Sequence, residues 1–159
     1  MALFKSFTKE KLVKWQHIQP NVEKRICQRL AQIMKVQPLG VPALLSFGWS
    51  STNGLLRLEI ERVPGIRLFD LHFPIPLNII QLLEGALVSW QSIGFIHGDL
   101  SPRNILVDID AKQVWFVDWV LDLSGFKGTP KYASKEVFLG KRSFESDQFA
   151  LEHVLKNHI

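Results

Sequence analysis

The stretch His97-Gly98-Asp99-Leu100-Ser101-Pro102-Arg103-Asn104 runs directly into the apolar Ile105-Leu106-Val107. An acid stands five residues before an asparagine, and the asparagine opens an apolar run. Fourteen residues further on, Asp118 closes a second such run, Val114-Trp115-Phe116-Val117. Short apolar runs bounded by polar punctuation read as buried strands. Two strands that each present a carboxylate or a carboxamide at one end make a site for a cation beside a phosphate. Magnesium takes oxygen ligands and keeps its phosphate partners, so one carboxylate and one amide oxygen suffice as protein ligands. Asn104 and Asp118 are the candidate metal ligands, and Asp99 is placed to orient a hydroxyl nucleophile.

The rest of the chain limits what can surround this constellation. With 159 residues it forms one compact domain, or two small lobes sharing a core. A hydrophobic share of 47% excludes wholesale disorder. The net charge of +4 gathers early, on Lys5, Lys9, Lys11, Lys14, Lys24, Arg25, Arg29 and Lys35. A solvated helix face accounts for it better than a nucleic-acid partner. Cys27 stands alone, which excludes an internal disulfide and a multi-cysteine zinc site. The first residues hold no signal-peptide core, and every long apolar stretch is interrupted by polar residues. The reading is a soluble chain without a membrane span.

Residues 2–7 suit a short strand carrying Lys5. Val22, Ile26, Leu30 and Ile33 recur at helical spacing over 21–36, with Asn21 as the expected N-cap. A strand over 42–49, a turn ending in Asn53-Gly54 and a returning strand over 55–60 make a hairpin. Glu61-Arg62-Val63-Pro64-Gly65 breaks the pattern and marks a lobe boundary. Ile80, Leu83, Leu87 and Trp90 line a second helix over 77–92. An irregular segment over 121–134 and a last helix over 145–156 complete the chain.

This order, with the His-Gly-Asp loop at its centre, resembles the protein-kinase superfamily in the variant found in atypical kinases and small-molecule phosphotransferases. The resemblance implies an α+β, minimal two-lobed protein-kinase-like fold. Residues 1–62 would form a small N-lobe sheet with an αC-like helix, and 63–159 a mainly helical, truncated C-lobe. It implies ATP and Mg2+ as cofactors, with Asn104 and Asp118 on the metal and Asp99 and Arg103 as catalytic residues. Arg103 would contact the transferred phosphate in place of the usual lysine, since Ser101 stands at that position. Lys5 and Glu23 would form the phosphate-gripping ion pair, the backbone around Glu61 and Val63 would hold adenine, and Ile60 would be the gatekeeper. His97 would be a scaffold residue bonding backbone. Gly128-Thr129-Pro130-Lys131-Tyr132-Ala133-Ser134-Lys135-Glu136 resembles the end of an activation segment, which favours a protein kinase over a small-molecule one. Ser146-Asp147-Gln148-Phe149 resembles the following helix start, whose aspartate braces the catalytic-loop backbone.

The sequence departs from the pattern in several places. No glycine-rich loop lies upstream of Lys5, Asp118-Trp119-Val120 replaces Asp-Phe-Gly, and only one helix follows the activation-like segment. A minimal kinase and a truncated one both meet this description. The expected activity is transfer of a γ-phosphate to a protein hydroxyl, Ser/Thr favoured over Tyr. A catalytically weak pseudokinase acting as a binding module and a small-molecule kinase are the alternatives. The expected partner is a protein substrate, with no membrane, in the cytoplasm; delivery as a secreted effector stays open.

Overall fold

The computed structural model describes residues 2–7, 11–49, 54–124 and 128–158, with side chains from residue 11 onward. Contacts divide the chain into two compact units. The first comprises residues up to Gln37 together with Pro42–Val63, and the second comprises Pro38–Val41 together with Pro64 onward. The sequence reading had put a single boundary between Arg62 and Val63.

The first unit holds β1 (Ala2–Phe7), β2 (Lys11–His17), α1 (Glu23–Val36), β3 (Leu44–Trp49) and β4 (Leu55–Glu61). Its strands pair antiparallel in the order β1-β2-β4-β3. The helical spacing read from the sequence is the buried stripe Ile26, Leu30 and Ile33, each at most 3% exposed. With Val13, Leu44, Leu56 and Leu58 these residues make the core of the unit. Asn21 is not the cap. Pro20 fixes a helical φ and starts a 3-10 turn over Pro20–Val22, so Asn21 lies inside that turn and Val22 caps α1 without a side-chain bond. Residues 50–53 of the expected hairpin turn lie outside the described residues.

β2 had not been foreseen. Lys11-Leu-Val-Lys-Trp-Gln-His17 alternates only over Val13–Gln16, with Leu12 out of phase, which is too short a run to mark a strand by itself. It is an interior strand with ladder partners on both sides, and those partners, not its own pattern, hold it extended.

The second unit holds β5 (Ile66–Arg67), α2 (Leu77–Ile93), β6 (Ile105–Asp108), β7 (Gln113–Phe116), α3 (Lys135–Phe138) and α4 (Phe144–Lys156). Its sheet runs β5-β6-β7, again antiparallel. Trp90 of α2 is fully buried and anchors the core. Phe95 and Phe116 meet its ring edge-on at centroid distances of 5.0 and 4.6 Å, and His97 stacks on it at 6.2 Å. Edge and offset arrangements are the favourable ones for aromatic quadrupoles. Of the expected α2 stripe, Leu83, Leu87 and Trp90 are buried, while Ile79 rather than Ile80 takes the innermost place. The tetrapeptide Pro38–Val41 belongs here by its bonds. Leu39 O accepts the Trp90 indole N–H at 2.8 Å, and Gly40 O accepts the Phe116 amide at 2.7 Å. Gly40 has φ +74, and a Cβ there would press on the Phe116 ring at 3.2 Å. Among the described residues no helix is long and apolar enough to cross a membrane.

Candidate functional site

The loop 97–104 joins α2 to β6, and its geometry follows from how its ends are tied. Gly94, with φ +71, terminates α2. Asp147 then takes hold of the loop from the first turns of α4. Its Oδ2 accepts the His97 amide at 2.6 Å and its Oδ1 the Gly98 amide at 2.9 Å. Asp147 is only 2% exposed, and these charge-assisted bonds are what make its burial tolerable. α4 is itself fixed by a capping box, in which Ser143 Oγ accepts the Ser146 amide and Ser146 Oγ accepts the Ser143 amide.

His97 is fully buried. Its Nδ1 accepts the Asp99 amide at 3.2 Å, so the proton sits on Nε2, which donates to Val117 O at 2.9 Å. A neutral ring with both nitrogens committed to backbone is a scaffold residue, the role expected for it. Gly98 has φ +89, and a Cβ there would collide with Val120 Cγ2 and meet Arg142 Cδ at 2.9 Å. Only glycine fits between His97 and Asp99.

Asp99 is partly buried and tightly held. Its Oδ1 accepts both the amide and the hydroxyl of Thr129, at 3.0 and 3.1 Å. Asn104 Nδ2 donates to Asp99 O at 2.8 Å and to Asp99 Oδ2 at 3.2 Å. Burial pushes the Asp99 carboxyl above the usual carboxylate range, opposed by the bonds from Thr129 and Asn104 and by the Arg142 charge. The space left beside Asp99, Thr129 and Tyr132 is a cavity of about 10 Å³, room for roughly one water. Asn104 is 9% exposed, and commitment of its nitrogen to Asp99 leaves its oxygen as the atom able to meet a cation.

Asp118 stands on a turn fastened at both flanks. Val117 N–H donates to Asn104 O at 2.8 Å and Val120 N–H to His97 O at 2.9 Å. Between these anchors Asp118 adopts φ +57, a left-handed conformation uncommon outside glycine, and its side chain is exposed. Such strain persists only where the surroundings over-determine it, and it gathers at functional sites. Asp99 and Asn104 are therefore bonded to each other, and the turn that carries Asp118 is tied to the same loop through Val117 and Val120. Among the described residues no group of three or more His, Cys, Asp or Glu side chains gathers as a metal cluster. Any cation here would rely on one acid, one amide oxygen and oxygens from its ligand.

The other candidates are distributed differently. Arg103 is exposed, with its guanidinium carbon 3.8 Å from the Phe69 ring centroid, a cation–π contact not foreseen from sequence. Lys5 lies on β1 at the irregularity between Phe4 and Ser6, and its side chain lies outside the described residues. Glu23 opens α1 and is exposed. The strand directly preceding α1 and pairing with β4 is β2, not β1. Its Lys14 is registered opposite Leu58. Glu61 N–H is bonded to Ala43 O at 2.8 Å, and Glu61 Oε2 accepts the Ala43 amide. Val63, just past β4, has no backbone hydrogen bond among the described residues.

Two residues escaped the sequence reading as site members: Thr129 and Arg142. In the sequence Thr129 stands out only as part of the Gly128–Glu136 stretch. No local signal marked Arg142, because its contact with Gly98 spans 44 residues.

No family model matches the sequence. The chain is 26% identical to the serine/threonine-protein kinase pkn2 of Myxococcus xanthus, over 79% of its own length and 18% of that protein's. Among solved structures it is similar to Rad53 1–466 in complex with AMP-PNP, with a TM-score of 0.71 and 22% identity. It is also similar to the Cydia pomonella granulovirus kinase PK-1, with a TM-score of 0.65 and 22% identity. Each match covers 94% of this chain, but 40% of the first structure's chain and 61% of the second's. The antiparallel sheet with its single long helix, the mainly helical second unit and these structural neighbours together identify a small α+β chain with the protein-kinase-like fold.

Proposed function

We propose that the chain is an ATP- and magnesium-dependent phosphotransferase acting on a protein hydroxyl, serine or threonine in preference to tyrosine. One observation carries the reading. A partly buried, multiply bonded carboxylate, Asp99, is bonded to Asn104, and the strained turn that carries the exposed acid Asp118 is tied to the same loop through Val117 and Val120. The donor set fits magnesium, because one carboxylate and one amide oxygen leave the remaining positions to water and phosphate oxygens. Bound there, the metal–nucleotide would supply a polarised γ-phosphate. Asp99 orients and accepts the proton of the incoming hydroxyl, with Thr129 and Asn104 fixing its carboxylate. Catalysis of this kind is mostly positioning, and the many bonds on the loop serve that end. The similarity to a serine/threonine-protein kinase and to a structure in complex with AMP-PNP supports the substrate and the nucleotide.

Under this reading Val63 N–H and Glu61 O hold adenine, and Ile60 flanks it. The phosphate-gripping lysine is Lys5, partnered by Glu23, with Lys14 as the competing candidate because its strand precedes α1 in the chain and pairs with β4. Residues 1–62 serve as N-lobe and 63–159 as C-lobe. A second reading, a binding module without turnover, is favoured by the occupation of Asp99 Oδ1 by both Thr129 donors. The test is transfer of labelled γ-phosphate to a mixed Ser/Thr/Tyr peptide substrate with magnesium. Loss of transfer in Asp99→Ala upholds the enzyme; nucleotide binding without transfer by the parent chain upholds the module.

A further inference from the structure

Arg142 lies in the turn between α3 and α4, 44 residues from the loop it touches, and is 9% exposed. Its Nε–H donates to Gly98 O at 3.0 Å, and its Nη1–H donates to Leu123 O at 3.1 Å. One planar guanidinium thus holds the carbonyl just before Asp99 and a carbonyl five residues past Asp118. The turn that carries it packs closely on the same segment: a Cβ on Gly140 would meet Ser124 O at 3.0 Å. Asp99, Asp122 and Asp147 surround the guanidinium with negative charge, while burial pulls its affinity for the proton down. A buried cation is costly unless paired and hydrogen-bonded. The loop itself carries no cation between His97 and Asp99, and the space over Gly98 is filled by Val120 and by Arg142.

We infer that Arg142 is a positioning residue, which clamps the Asp99 loop to the segment after Asp118 through the Gly98 and Leu123 carbonyls. The inference rests on the phosphotransferase reading for its effect on turnover, and on the geometry alone for the clamp. A lysine has one compact head and cannot present two N–H bonds in a fixed fork, so the planar geometry is the point at issue. Gly98 is fixed by Asp147 through its N–H and by Arg142 through its carbonyl, so the two peptide units that flank Gly98 are each held, the second of them leading into Asp99.

The test compares parent, Arg142→Lys and Arg142→Met by steady-state kinetics with ATP and magnesium, and by amide hydrogen exchange. The expected result for Arg142→Met is a fall in kcat of about 10²-fold with nucleotide KM within about twofold, as for a misplaced catalytic group. Arg142→Lys should recover part of kcat through a single retained bond. Exchange at the Gly98 and Val120 amides should quicken by about tenfold or more in Arg142→Met, while Leu56 and Leu58 in β4 stay at the parental rate. Parental kcat in both variants overturns the positioning role, and so does a uniform rise in exchange across both units. If the parent chain transfers no phosphate, the phosphotransferase reading falls by itself. Exchange then decides the clamp: local quickening upholds it, and unchanged rates at Gly98 and Val120 overturn it.

Discussion

Replacing Asp147 by asparagine changes one oxygen to an NH2 and little else in shape. In the parent both carboxylate oxygens accept backbone amides, the buried one of His97 at 2.6 Å and the part-buried one of Gly98 at 2.9 Å. Asparagine can accept only one of them, and its own NH2 must then face the other donor. The second amide is left unpaired in a site that is 2% exposed. A lost bond to a charged group costs about 1.5–3 kcal/mol, which sets the expected loss for Asp147→Asn. Asp147→Ala strands both amides and should cost about 3–5 kcal/mol. For a chain of this size each kcal/mol lowers Tm by about 2–4 °C, so the two variants should melt about 3–12 and 6–20 °C below the parent. Urea unfolding followed by tryptophan fluorescence gives the free energies, and differential scanning calorimetry gives Tm. An Asp147→Asn variant within about 0.5 kcal/mol of the parent, the range of ordinary surface changes, would refute the argument that this carboxylate is what holds the loop backbone.

Four further outcomes are expected. Asp118→Asn, which keeps a side chain tolerant of positive φ, should abolish magnesium-dependent nucleotide binding measured by calorimetry while Tm stays within a few degrees; equal affinity with and without magnesium in both proteins removes Asp118 from the metal. Arg103→Ala should cost about 0.5–1 kcal/mol through loss of the Phe69 contact, and a drop in turnover of about 10²-fold or more beyond that assigns it to the phosphate. Either Lys5→Met or Lys14→Met should lower ATP use at nearly constant Tm, and activity in both single variants would discard the ion-pair assignment. Glu59 is held at a pKa of about 2 by hydrogen bonds from Arg57, Lys11 and Ser46. Its folded-state pKa lies below the ordinary carboxyl value of 4.5, so its stabilisation is present above that value and is lost as pH falls toward about 2. Urea midpoints of the parent and Glu59→Gln should therefore converge at low pH, and a gap independent of pH would contradict the assignment.

What the sequence disclosed and what it hid divides along a physical line. The 97–104 loop, β6, β7 and the helices α1, α2 and α4 were legible because their signals are local: five-residue spacing, short apolar runs, helical periodicity. Asp99's partnership with Thr129 spans 30 residues and Arg142's with Gly98 spans 44. Contacts at such separations leave no periodic trace in a single chain. β2 was hidden for a related reason, since an interior strand takes its conformation from neighbours that pair on both sides. The αL backbone at Asp118 was equally invisible, because it comes from the two bonds that pin Val117 and Val120 rather than from any glycine.

The tetrapeptide Pro38–Val41 has a consequence for how the chain comes to be folded. Its carbonyls at Leu39 and Gly40 accept the Trp90 indole N–H and the Phe116 backbone amide, in two residues with no exposed surface. During synthesis these four residues are made first and must wait for α2 and β7 to emerge before their partners exist. A fragment starting at Pro64 would lack them permanently. Its indole N–H and its β7 amide would be orphaned, at about 1–3 kcal/mol each if they remained shielded from water. Cutting at the Val63–Pro64 boundary therefore does not yield an intact second half. That half borrows a piece of chain from upstream, and a fragment meant to fold alone would need the peptide returned, in trans or by circular permutation.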